Sequence, residues 1–178
     1  KPMNNEAGLA MNGIHYKHGV ACADCHMPQV TVKGTTFTSH DNVAGSRNIQ
    51  AACQPCHEDI DLKTLQNEVD TRLAEYNGPN AKKLEKSLAE THLLIAQALK
   101  AGAKENQLKG IYQNMRSAQW RWDYLMWQKG GSFHAPYETQ KLLATALTQV
   151  GDAKTDTLLL LSQLGVKNVQ IPDFSRVQ

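Results

Sequence analysis

No block of one-sign charge marks this chain: 19 Lys and Arg against 17 Asp and Glu leave a formal charge of +2 over 178 residues. Without a basic stripe, nucleic acid is not an expected partner. Long apolar runs are missing too. The longest lies around Leu158 to Leu161, far short of the roughly 20 residues needed to cross a bilayer, so no membrane span is expected. Aromatic residues make up only 6%, and Ala, Leu, Gln, Lys and Glu dominate the second half, a composition that points to helices. The length is one ordinary domain's worth of chain, enough to bury a core. The opening Lys1-Pro2-Met3-Asn4-Asn5 lacks the basic-then-apolar pattern of a secretory leader. The expectation is that processing has removed a leader or that the chain is the later part of something longer. Cysteine is scarce as well, with four in all, and none of them stands alone.

Cys22 and Cys25 are followed directly by His26, and Cys53 and Cys56 directly by His57. Four cysteines could serve two disulfides, a zinc ion, an iron–sulfur cluster or haem. A four-cysteine zinc site accepts paired C-x-x-C spacing but gives no reason for a histidine after each pair. A thioredoxin-like motif requires a βαβ context that no strand-rich pattern supplies here. C-x-x-C-H is the attachment motif of c-type haem: two neighbouring thiols form thioethers to the vinyl groups of one porphyrin, and the adjacent imidazole binds its iron. Two such motifs consume every cysteine, and the reading is two covalently bound c-type haems. Attachment of this kind takes place outside the bacterial cytoplasm, so a periplasmic or extracellular location is expected.

Two haems offer four axial positions, of which His26 and His57 fill two. His15, His18, His40, His92 and His134 remain, with Met11, Met27 and Met115 as possible sulfur donors. Donors exceed open positions, so both irons are expected to be closed by histidine pairs, an arrangement that carries electrons and leaves no site for substrate. His15, His40 and His134 lie on loops that can aim an imidazole at a metal. His92 falls inside a helical run, and His18 in a polar loop where solvation is its expected state.

The fold class expected is mainly α: a multihaem c-type cytochrome with a loop-rich, haem-packed N-terminal part (residues 1–57) followed by long antiparallel helices (58–178). The loop at 130–136 is expected to offer His134 as a distal ligand, and the long helices to form a dimer interface. Residues 1–57 are rich in Gly, Thr, Asn and Ser and read as loop with short helical turns. Leu62, Leu65, Val69, Leu73 and Tyr76, then Leu84, Leu88, Leu93, Ile95 and Leu99, follow at helical spacing. Asn77-Gly78-Pro79-Asn80 breaks that run. A second helix is predicted over 105–127, stopped by Gly130-Gly131, and a third over 136–164, stopped by Gly165. The tail from Val169 to Phe174 is expected to pack back on the body. Trp120 and Trp127 share a helix face from which Trp122 turns away, and core packing or subunit contact is the expected role of all three.

The order CADCHMP, TSH, CQPCH, ALKAGA, AQWRWD, FHAP and QIPDFS resembles the C-terminal part of pentahaem, ammonia-forming cytochrome c nitrite reductase. The similarity runs through essentially the whole chain, and AQWRWD with FHAP is more specific than the haem motifs. The resemblance implies that Cys22, Cys25 and His26 form a fourth haem site with His134 as distal ligand. It makes Cys53, Cys56 and His57 a fifth site, capped by His15. His40 matches a histidine that caps a haem whose motif is not in this sequence. The resemblance also implies a homodimer built through the long helices, which suits Trp120 to Trp127. Departures are equally clear. There is no C-x-x-C-K motif for a lysine-ligated catalytic haem, and the first three haem motifs, the active-site arginine and tyrosine and the calcium ligands are missing. The nearest Xaa-Pro to the family's catalytic histidine is Lys1-Pro2, and the break at 77–80 interrupts a helix that the family keeps continuous.

Three functions follow as expectations: a dihaem electron carrier, with no catalytic residue, served by a quinol-oxidising or multihaem cytochrome donor; a piece of a complete nitrite reductase; and a subunit of a conductive haem assembly in which His40 ligates a neighbour's haem. Pyridine haemochrome analysis of the holoprotein should find two haems per chain, falling to one when Cys22 and Cys25, or Cys53 and Cys56, are replaced by serine.

Overall fold

The computed structural model of the chain describes residues 13–41, 45–128, 130–171 and 174. Helices dominate. In order they are α1 (Ile14–Lys17), α2 (Cys22–His26), α3 (Ile49–Ala52), α4 (Leu62–Asn77), α5 (Pro79–Lys100), α6 (Glu105–Trp127), α7 (Gly131–His134) and α8 (Pro136–Gln163). A two-stranded antiparallel hairpin, β1 (Gln29–Val32) with β2 (Thr35–Thr38), lies between α2 and α3. The chain divides into two compact units, residues 1–76 with 130–136, and residues 77–129 with 137–178. The expected boundary at residue 57 thus falls inside the first unit. The reason is α4: its Leu65 and Val69 are buried with Ile49, and Phe133 packs on the same cluster.

The helix limits follow local chemistry. Asp61 opens α4 by accepting hydrogen bonds from the Thr64 backbone N–H at 3.0 Å and the Thr64 hydroxyl at 2.7 Å, a side-chain cap for an otherwise unpaired N-terminal donor. Gly78 separates α4 from α5, and Pro79 starts α5 at the one helical position where a missing N–H costs nothing. At the end of α5 the N–H of Ala103 bonds the carbonyl of Ala98 at 2.9 Å, with Gly102 at φ +94°. Gly165 closes α8 in the same way, at φ +81° with Val166 N–H on the Leu161 carbonyl at 3.0 Å. Both glycines occupy the left-handed position that lets the last carbonyls find partners.

The second unit has a conventional apolar core, fourteen buried residues drawn from α5, α6 and α8, with Leu84, Leu94, Leu108 and Leu161 fully enclosed. Leu93 and Leu99, expected on the buried stripe, are 39% and 49% exposed, and Leu94 and Ala98 take the interior instead. With apolar residues at 93, 94, 95, 98 and 99, two registers compete, and the fully buried pair is the one that packs. The buried hydroxyls of Thr91 and Thr157 are satisfied by the carbonyls of Ser87 and Ala153 one turn earlier. Val166 and Val169 pack on this core, and Gln170 exchanges two backbone hydrogen bonds with the Gln97 amide, at 2.6 and 3.0 Å. The tail therefore returns to the body through Gln170; part of the segment beyond it lies outside the described residues.

The hairpin is the element that the sequence reading missed. Lys33 at φ +51° and Gly34 at φ +81° form its two-residue turn, the geometry that matches strand twist. Thr31 and Thr36 share a hydroxyl hydrogen bond at 2.8 Å across the strands.

Glu90 is almost fully buried, and Lys154 of α8 reaches it at 2.6 Å, whereas Lys86 lies 3.8 Å away and is exposed. Removing the close cation strands a buried carboxylate. Lys154→Met should cost about 1–3 kcal/mol, less than a fully buried pair because Lys154 is partly solvated. Lys86→Met should stay within about 0.5 kcal/mol. Urea unfolding of the two variants measures the difference.

Candidate haem-binding site

Each cysteine pair is wound into a helical turn. In α2 the Asp24 carboxylate accepts the Ala21 backbone N–H at 2.7 Å, and Met27 N–H bonds the Ala23 carbonyl at 2.7 Å. Cys22 and Cys25, three residues apart, then face the same side. The second motif continues α3: Cys53 N–H bonds the Ile49 carbonyl at 2.9 Å, and His57 N–H bonds the Cys53 carbonyl at 3.1 Å. None of the four cysteines pairs in a disulfide; Cys25 and Cys53 are half-buried and Cys22 and Cys56 exposed.

The motifs are neighbours. A Cβ added at Gly45 would stand 3.3 Å from the Cys25 carbonyl oxygen and 3.5 Å from Ala52 Cβ, so this glycine lets the two turns approach. Burial pushes the Cys25 thiol up, and the cysteines of the second motif and Asp24 add to the effect. Burial also pushes up Cys53, with Cys56 adding.

The histidines fall into pairs. His26 and His134 stand with ring centres 6.1 Å apart, and His15 and His57 with ring centres 6.5 Å apart. Two imidazoles bound on opposite sides of one metal ion, at about 2 Å per bond, put their ring centres about 6 Å apart. Both separations can accommodate one intervening metal; the His15 and His57 rings stand edge to face at 83°, and the His26 and His134 rings are tilted at 54°. These are the same pairs that the resemblance assigns to two haems.

Local structure positions these histidines. Val20 N–H bonds the His15 carbonyl at 3.0 Å and Gly19 turns at φ +80°, closing the turn that follows α1. Burial holds the His15 imidazole below its ordinary pKa, with His57, Arg72 and His18 lowering it further, against a hydrogen bond to the Phe133 backbone that raises it. A depressed pKa keeps the ring neutral, the form that binds a metal. His134 ends α7, whose first turn is held by its own N–H on the Gly130 carbonyl at 2.8 Å. Gly19, Phe133 and Gly130 are the supporting residues that sequence reasoning passed over. The positions of Gly19 just past His15 and of Gly130 just before His134 were the available signals.

His40 is exposed beyond β2, His92 is exposed on α5, and His18 is exposed after α1. None of these three belongs to either ring pair. Met115 is buried in the second unit's core, and Met11 lies outside the described residues.

Among the described residues the first unit's hydrophobic cluster has three buried members, against fourteen in the second unit. Ser132 is buried with its hydroxyl unpartnered two residues before His134, an orphan donor that a bound group could satisfy. Among the described residues no three His, Cys, Asp or Glu side chains gather into a metal cage, whereas haem iron takes only two axial ligands from protein. The residues fit haem.

Paired C-x-x-C-H turns on a helical scaffold define a c-type cytochrome. The model of the cytochrome c552 family matches residues 6–178, and the chain belongs to that family, whose haem is covalently bound. Similar proteins are the cytochromes c-552 of Parabacteroides distasonis, 36% identical over 98% of this chain and 35% of that protein, and of Haemophilus influenzae, 36% identical over 92% and 30%. The chain thus spans about a third of the length of the relatives it matches. Among solved structures, the catalytic subunit of the cytochrome c nitrite reductase of Desulfovibrio desulfuricans shares the fold, with a TM-score of 0.77 at 22% identity over 92% of this chain and 36% of that one.

His134→Ala and His15→Ala should each convert one haem of the holoprotein from low to high spin, seen by absorption and electron paramagnetic resonance. His92→Ala should leave both haems low-spin.

Proposed function

We propose that the chain is a dihaem electron-transfer unit in which His26 with His134, and His15 with His57, close both irons. The two ring separations of 6.1 and 6.5 Å carry this reading, because each accommodates one metal and leaves it no vacant axial position. Cys22 and Cys25 hold one porphyrin and Cys53 and Cys56 the other. The bound haems would supply reversible one-electron chemistry at iron. The protein's part is to keep both axial positions filled and to hold the two attachment turns close, as the contact of Gly45 with Cys25 and Ala52 supports. A closed pair of sites excludes small-molecule substrates, so the partners are redox proteins: a quinol-oxidising or multihaem cytochrome donor. The location is periplasmic or extracellular, where covalent haem attachment occurs. Among the described residues no helix is long and apolar enough to cross a membrane.

The span of about a third of the relatives' length favours a second reading. Here the chain is the electron-entry, C-terminal part of an ammonia-forming nitrite reductase whose catalytic haem lies on other sequence. In that setting Trp120 and Trp127, 56% and 75% exposed on α6, with Trp120 stacked on Tyr124 at 5.5 Å, would face a second subunit. Exposed His40 would cap a haem held elsewhere, in the same protein or in a neighbour of a larger assembly.

Supplied with a reduced viologen and nitrite, the purified dihaem chain should be oxidisable and reducible but form no ammonia. Sustained ammonia production would overturn the electron-transfer reading. His40→Ala should leave the spectrum and oligomeric state of this chain unchanged if its partner haem lies on other sequence, and should alter one of them if copies of this chain assemble through it.

A further inference from the structure

Four of the described glycines are demanded by backbone. Gly19, Gly34, Gly102 and Gly165 all have φ between +80° and +94°, where a side chain is strained. Gly130 is different: its φ of −91° and ψ of 1° lie in a region open to other residues. What excludes a side chain there is an imidazole. A Cβ at position 130 would stand 2.5 Å from His134 Cε1, 2.7 Å from Nδ1 and 3.2 Å from Nε2, against the roughly 3.5–4.0 Å of a normal contact between carbon atoms. The His134 ring occupies the space that every other amino acid would fill.

The ring cannot keep its place and yield. The Gly130 carbonyl accepts the N–H of Phe133 at 3.0 Å and of His134 at 2.8 Å, so position 130 and the His134 backbone are tied in one turn. Relief must come from rotation of the imidazole, and rotation takes it out of line with His26, whose ring centre is 6.1 Å away. We propose that Gly130 is a positioning residue for His134: the missing side chain is what lets the ring stand opposite His26 and close that axial position. The inference rests on the reading of His134 as a haem ligand and adds the residue that seats it.

The test uses the holoprotein. Gly130→Ala should retain two covalent haems per chain by pyridine haemochrome, lose the low-spin signal of one, and bind carbon monoxide at one haem per chain after reduction. Gly110→Ala, at a glycine with open space around its Cβ position, should leave both low-spin signals and bind none. Two low-spin haems and no carbon monoxide binding in Gly130→Ala would overturn the proposal. If Gly130→Ala yields no holoprotein, the double variant with His134→Ala decides. Recovery to the yield and thermal midpoint of His134→Ala alone supports the collision with the ring, and equal loss on both backgrounds overturns it. Failure of the underlying reading shows separately, as His134→Ala holoprotein that keeps both haems low-spin.

Discussion

Two imidazoles held about a metal's width apart are the constraint on which the first unit depends. Rings left to themselves stack, hydrogen-bond or turn to solvent. Here two pairs stand at 6.1 and 6.5 Å, and much of the unit's local structure maintains those gaps. Gly19 closes the turn that carries His15, the Phe133 backbone takes a hydrogen bond from the His15 ring, and Gly130 makes room for His134. The two sites also share a support, since Phe133, which holds His15, directly precedes His134.

The units use different sources of stability. The second buries Leu84, Leu94, Leu108, Val150 and Leu161 completely and seals a Glu90–Lys154 pair beside them, as a helical protein of ordinary composition does. The first, among the described residues, has three buried apolar members in its cluster, one long helix among several short ones and an exposed hairpin. Its ordered turns surround cysteines and histidines instead of leucines. In a c-type cytochrome the porphyrin supplies apolar surface that side chains do not, and covalent attachment makes that surface part of the chain.

Much of this was legible in the sequence because the decisive signals are local. The C-x-x-C-H spacing, the Gly78-Pro79 break, the ends of α6 at Glu105 and Trp127 and the Gly165 stop all depend on residues a few positions apart. That Trp120 and Trp127 share a helix face followed from helical period, whereas the exposure of that face did not. What escaped depends on three-dimensional neighbours. Leu93 and Leu94 are equivalent by hydropathy, and only packing against α6 and α8 selects the second. The hairpin has a Lys-Gly turn flanked by β-branched residues, yet its strands are four residues each, short enough to read as loop. The pairing of His15 with His57 and of His26 with His134 came from family resemblance. No spacing rule joins residues 15 to 57 or 26 to 134. Gly130 shows the limit most clearly, because its reason is the ring of a residue four positions on.

The central claim is that two irons sit between two histidine pairs. Crystals of the holoprotein measured on both sides of the iron absorption edge test it most directly. The account predicts two anomalous peaks per chain, one between the His26 and His134 rings and one between the His15 and His57 rings. A single peak, or a peak centred on the four cysteines, would contradict it.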